Sequence, residues 1–394
     1  MPARRPPRSS NRTDGRKSVK ILAPGSVPAR RIVAVIGLTA LGVVVVIGGI
    51  VWERDRPRRL LDAAEAATLA RDWPSAATLW NRINQTRAAN ARTLLAEASA
   101  ELAIDRGADA DRALERASTA DPGRAEAWRA RLDRFRVLDQ PVEALKLLRR
   151  AETSVAPAEF RPILASATLA ALAELPDDEA RERLDRWIKA DPNDFDARVA
   201  WLDRVAANPH PGDPDRATRI RELTAILDRD PNQIAARETL LVALADAGEP
   251  EKGRTVLAAW PEASRDARYF RLRARWDLEY DHQPEQAVVA YTEALNEIPH
   301  DWTSHYGLAR AYRALGRETE SRNEANIVAR LRERLAPATL APRLTGDLAK
   351  LDDPRSSLDL AALCQSVGLT WLAESWAREA RLRPSARGPL PTDR

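Results

Sequence analysis

Thiols, thioethers and imidazoles are nearly missing: the 394 residues hold one cysteine, one methionine and four histidines. A single cysteine, Cys364, excludes an intramolecular disulfide and a thiolate metal cluster, and so few histidines leave a metalloenzyme little to work with. Glycine is scarce, at 16 residues against 27 prolines, which excludes a collagen-like chain. With 44% hydrophobic and 30% charged residues the chain is too apolar to be disordered throughout. Lysine is rare as well, only six of the 62 basic residues, and that arginine excess reads as GC-rich, bacterial coding. A nucleotide loop, a nucleophile elbow, a zincin helix and a thiol pair are all lacking. The chain is therefore expected not to be an enzyme, with no catalytic residue, no cofactor, no metal and no small-molecule substrate assigned.

The net charge of +4 is unevenly placed. Residues 1–31 carry nine basic groups against Asp14, which is +8, so the rest of the chain is at −4. The excess lies in a Pro-, Ser- and Arg-rich tail too polar to fold alone, and a faintly acidic body has no nucleic-acid footprint. Next comes IVAVIGLTALGVVVVIGGIVW, residues 32–52, without one charge. At about 1.5 Å per residue that run can cross a hydrocarbon core of about 30 Å. It is longer than the apolar core of a cleaved signal and ends in Trp52 and charged residues rather than a small-residue cleavage site, so it reads as a transmembrane signal anchor. Nine basic residues precede it and five follow closely. The positive-inside bias then puts the N-terminus in the cytoplasm of a bacterial inner membrane, single-pass, with the body extracytoplasmic.

Beyond residue 57, apolar residues recur at three and four, the amphipathic helix period, and nothing reads as a strand. A column pattern repeats: Ala110, Leu114, Ala117 and Pro122; Ala180, Leu184, Trp187 and Pro192; Ala287, Tyr291, Ala294 and Pro299. Ala76, Ala110 and Ala144 are 34 apart, as are Arg219, Gly253, Ala287 and Ser321. The small residues fit where two helices cross closely, and proline stops the second helix of each pair.

With that spacing, and with HYGLARAYRALGR at 305–317, where Leu308, Ala309, Tyr312, Leu315 and Gly316 fill a first helix and its turn, the chain resembles the tetratricopeptide repeat family. The resemblance implies an all-α, right-handed α-solenoid of helix-turn-helix repeats, here preceded by one transmembrane helix. The expected organisation is a basic tail at 1–31, the span at 32–52, eight repeats within 53–335, a linker at 336–353, a ninth repeat at 354–387 and a tail at 388–394. The eight start near 57, 91, 125, 159, 195, 234, 268 and 302.

In that family, first-helix positions two, five, nine and twelve face the concave groove. Carried onto this sequence, they give Arg129 and Arg136 in the third repeat, Tyr269 and Trp276 in the seventh, and Tyr306, Arg310 and Arg313 in the eighth. Aromatics beside arginines suit a peptide-binding surface, and the same residues also fit a plain solvated face. His300 and His305, five apart, read as solvent-facing rather than metal-binding, and Cys364 as a small buried hydrophobe. The resulting expectation is a membrane-tethered interaction scaffold for a protein or peptide partner, in envelope assembly or secretion. The alternative is a secreted or periplasmic accessory subunit of an enzyme complex, released by signal cleavage.

Overall fold

The computed structural model describes residues 57–86 and 89–382. The chain divides into two units, Met1–Arg59 and Leu60–Arg394. The tail at 1–31, the span at 32–52 and the end at 388–394 lie outside the described residues, among which no helix is long and apolar enough to cross a membrane.

The described residues are helical, with no strand among them. Helix α1 runs over residues 57–69, followed by α2 (Trp73–Asn84), α3 (Ala91–Ala103), α4 (Gly107–Ala120), α5 (Ala125–Val137) and α6 (Pro141–Glu152). Next come α7 (Pro157–Leu172), α8 (Asp177–Ala190), α9 (Phe195–Ala207), α10 (Arg216–Arg229), α11 (Ile234–Asp246) and α12 (Pro250–Ala258). The remainder is α13 (Ala267–Glu279), α14 (Pro284–Glu297), α15 (Trp302–Ala314), α16 (Glu318–Arg334), α17 (Pro337–Leu348), α18 (Pro354–Ser366) and α19 (Thr370–Arg381).

Two local devices set this rhythm. Within a pair, the chain reverses in three or four residues through one left-handed residue: Arg71, Asp105, Asp139, Gly248, His282 and Gly316 all have positive φ. Between pairs, an Asp-Pro step closes the second helix. Asp121, Asp191 and Asp230 each accept a hydrogen bond from the backbone N–H two residues on, at 3.3, 2.9 and 3.0 Å. Such Asx turns compete with continued helix, and the proline adds a missing donor. First helices then restart on an aspartate cap, as at Asp194, Asp266 and Asp301, which satisfies an orphan N–H.

Stacking is not uniform. α5, α6 and α7 pack as a trio around Trp128, Leu132, Leu148 and Ile163, but α7 and α8 scarcely touch. Residues 159–194, expected to be the fourth repeat, are thus not a packed pair. At Pro176 the chain turns away, and α8 packs beside the end of α5, where Leu184 and Trp187 meet Val137 and Leu138. The face of α7 left open is covered by α17, α18 and α19: Leu344, Leu360, Cys364 and Trp376 are fully buried with Leu164 and Ala167. Trp376 donates its indole N–H to Thr168 Oγ1 at 3.0 Å, Trp371 donates to Glu152 at 3.0 Å, and Arg161 donates to the Leu351 carbonyl at 2.7 Å. Within its own unit the array therefore closes on itself. The expected linker at 336–353 is corrected by the same packing, because Leu340 and Leu344 give α17 an apolar face. Pro337, at its first position, costs no hydrogen bond.

Candidate functional site: a cavity beside an aromatic stripe

Closure leaves a half-open cavity of about 580 Å³. Its wall is the α5–α6 turn, the end of α7, the inner faces of α9, α11 and α13, the turn into α15, and the α16–α17 junction. Six carboxylates reach it, Asp139, Glu143, Glu174, Asp203, Glu238 and Asp301, against the three arginines 268, 271 and 332.

Two of those arginines are already committed. Arg268 donates to Asp266 and Glu143, at 2.6 and 2.8 Å, and Arg271 pairs with Glu238 and, at 3.3 Å, with Asp301. Lys146 of α6 reaches Asp266 at 2.8 Å, so the α6–α7 hairpin is tied to α13 across the groove. The carboxylates of Asp139, Glu174 and Asp203 make no hydrogen bond or ion pair among the described residues. The surrounding protein, and then the neighbouring Glu174, raise the Asp139 carboxyl. Asp203, closed in by protein and facing Glu238 and Asp139, is raised to about 6. Both side chains are exposed to the cavity, and the walls around them weaken hydration of the charged form.

The expected groove residues divide. Trp276 is 1% exposed and sits in the pair core with Trp260, Leu257 and Leu272, so its place in a binding patch is withdrawn. The reason is register: α13 begins at Ala267 behind its cap Asp266, one residue ahead of the assumed start. That residue turns the helix face by about 100°, and Arg268 and Arg271 point into the groove instead. Tyr269 is half-buried, edge-on to Trp260 at 5.5 Å and beneath Arg265 at 5.0 Å. Arg129 is exposed, and Arg136 is half-buried, donating to the Ala173 carbonyl at 3.1 Å. Neither shares a contact with the α15 residues.

Tyr306, Arg310 and Arg313 do lie together and exposed on α15, and they continue a line begun by Trp302, which sequence reasoning missed. Trp302 and Tyr306 are 39% and 54% exposed. Arg332 stands over the Trp302 ring at 5.2 Å and Arg310 over Tyr306 at 5.9 Å. Arg310 also donates to Glu279 at 2.5 Å, and Arg275 does so at 2.9 Å. Burial alone would raise the Glu279 carboxyl, and these two guanidiniums hold it below the usual range.

The histidines differ from expectation. His300 is 9% exposed, and burial lowers it to about 4; His305 bridges Glu324 at 2.5 Å and the Pro299 carbonyl at 3.1 Å. His300 lies in the α14–α15 turn and His305 in the first turn of α15. Cys364 is fully buried and its thiol is pushed up to about 12. Among the described residues, one group could hold a metal ion, Asp177, Asp178 and His210, and its Asp178 and His210 are exposed on the surface.

No curated protein matches the chain. Among solved structures, "APC/C hetero-tetramer Cut9-Hcn1" is 16% identical, covering 89% of this chain and 71% of its own, at a TM-score of 0.35. "Human IFIT1 dimer with m7Gppp-AAAA" is 15% identical, covering 75% and 69%, at 0.33, and "P58(IPK) TPR Domain" is 13% identical, covering 83% and 98%, at 0.26. Scores this low carry no argument. The tetratricopeptide repeat model matches residues 211–275.

Proposed function

We propose that this chain is a membrane-tethered interaction scaffold whose partner docks along α15. The supporting observation is the line Trp302, Tyr306, Arg310 and Arg313, spaced four, four and three on one helix face. It keeps two large aromatics exposed under guanidinium groups while Trp80, Trp187, Trp260 and Trp276 are buried. Aromatics and arginines dominate binding hot spots because they bring apolar area and directed charge at small entropic cost. The tetratricopeptide repeat supports a protein-interaction role. The uncharged run at 32–52, with its basic N-terminal flank, supports a tether in a bacterial inner membrane, with an envelope or secretion partner outside the cytoplasm.

A photo-crosslinking residue tests the docking face. Placed at 306 in the full chain it should trap one dominant partner, while at Val289, 64% exposed on α14, it should trap none. Equal trapping at both positions would remove α15 as the docking face.

A further inference from the structure

We infer that the α15 stripe takes an extended segment of a partner protein, about five residues long, with a carboxylate at each end and apolar side chains between. The inference rests on the docking reading above and deepens it by naming the chemistry of what docks.

The charges along α11, α13 and α15 point to the ends of that segment. Arg271 is met by Glu238 and Asp301, Arg275 by Asp246 and Glu279, and Arg310 by Glu279. These carboxylates are thereby used up. Arg313 and Arg332 are exposed, and their guanidinium groups make no hydrogen bond or ion pair among the described residues. Arg332 stands over the Trp302 ring at 5.2 Å; stacking of this kind orders a guanidinium and leaves its N–H edge free to take a carboxylate with two parallel hydrogen bonds.

Spacing gives the length. Arg332 marks the Trp302 end of the stripe, and Arg313 lies eleven residues further along α15, about 16 Å by helix rise. An extended chain advances about 3.3 Å per residue, so about five residues cover the interval. Between the two arginines, Trp302 and Tyr306, 39% and 54% exposed, offer ring surface to apolar side chains. The chain's own ends do not match this pattern: residues 1–31 carry nine basic groups against one acid, and residues 383–394 carry Arg383, Arg387 and Arg394 against Asp393. The segment therefore comes from another protein. A faintly acidic body opposes a polyanion such as nucleic acid, whereas two carboxylates answer two free guanidinium groups.

The test is fluorescence anisotropy of a dye-labelled, end-blocked peptide, Asp-Val-Phe-Val-Asp, with the full-length chain in detergent. Saturable binding is expected, about tenfold or more tighter than for Asn-Val-Phe-Val-Asn, and Arg313→Glu with Arg332→Glu should weaken it about tenfold or more. Both side chains are exposed, so the fold should hold, which a circular dichroism melt checks. The same double variant should prefer Lys-Val-Phe-Val-Lys, an exchange of preference that a damaged fold does not produce. Absence of saturable binding, equal binding of the Asp and Asn peptides, or an unchanged preference in the double variant would overturn the inference. Displacement of the peptide by oligothymidylate at equal concentration would overturn it in favour of a nucleic acid. If the photo-crosslinker at 306 traps a partner that excess Asp peptide does not displace, the inference falls and α15 stands as the docking face. Equal trapping at 306 and 289 removes the docking face, and the inference with it.

Discussion

Trp376 and Thr168, 208 positions apart, share a hydrogen bond of 3.0 Å in a space where both are fully buried. This contact closes the repeat array, since Trp376 covers the face of α7 that α8 abandons. Trp376→Ala should cost about 3–5 kcal/mol, as for other large-to-small core changes, and Trp376→Phe about 1 kcal/mol for the lost hydrogen bond. Urea midpoints followed by far-ultraviolet circular dichroism measure both. A wild-type midpoint for Trp376→Ala would mean that α19 does not hold α7.

Gly253 exists to admit Trp276. A Cβ at 253 would overlap the indole ring, and neither backbone nor ring has space to retreat in a cluster that also holds Trp260 and Leu257. Gly253→Val should destabilise by about 3 kcal/mol or more, combining overpacking with strain. Trp276→Ala alone leaves a cavity, yet in its presence Gly253→Val should cost much less, a coupling that a double-mutant cycle reads directly. Additive costs would show that the two residues do not meet.

What the sequence could tell follows from how local each signal is. Asp-Pro turns, small residues at helix crossings and the 34-residue spacing act within one or two helices, so the all-helical repeat character is readable from composition and period. Trp276 shows where that stops: moving the α13 start from 268 to 267 turns an expected groove residue into core. Closure is further out of reach, because Leu164 or Leu360 has the same pattern whether its cover is the next helix or one 200 residues on. The acidic cavity is the extreme case, since Asp139, Glu174, Asp203 and Glu238 come from separate segments, and only the departure of α8 from α7 brings them together.

Asp203 and His300 pull stability in opposite directions with pH. Asp203 is raised from 3.8 to about 6, so between those values the folded state binds more protons than the unfolded state, and its contribution falls as pH rises toward 6. The protein around it is the main cause of the rise, Glu238 and Asp139 add to it, and Arg204 and Arg271 oppose it. His300 is lowered from 6.5 to about 4; there the unfolded state binds more protons, and its contribution grows as pH rises from 4. Asp203→Asn should therefore make the melting temperature climb more steeply from pH 4 to 6 than in wild type, and His300→Gln should flatten or reverse the climb. Parallel profiles for all three proteins would show that neither group titrates as described.

His282 and Gly316 hold the same turn position in successive repeats, both left-handed, with φ of 52° and 70°. No atom stands within 4 Å of a Cβ at 316, so backbone strain alone sets the cost there. Gly316→Ala should destabilise by about 1 kcal/mol, and His282→Gly should gain up to about 1 kcal/mol, strain relief exceeding the entropy of glycine. Thermal melts of the two variants should shift in opposite directions. A shift in the same direction would mean that packing, not φ, governs these turns.

The break between α7 and α8 is held by Arg134. Its guanidinium donates to both oxygens of Asp194 at 2.9 and 3.1 Å and stands over the Trp187 ring at 4.8 Å. A Cβ on Gly107 would overlap it. One side chain thus binds α4, α5, α8 and the start of α9, with Arg134 and Asp194 buried to 5% and 2% exposure. Asp194 also caps α9, accepting from the Ala197 N–H at 3.0 Å. Arg134→Met keeps volume and strands that carboxylate, so it should cost about 3–5 kcal/mol, as when one partner of a buried pair is removed. Adding Asp194→Asn keeps the cap and removes the stranded charge, which should restore much of the loss. If Arg134→Met is as stable as wild type, α8 is held in place by Leu184 and Trp187 alone.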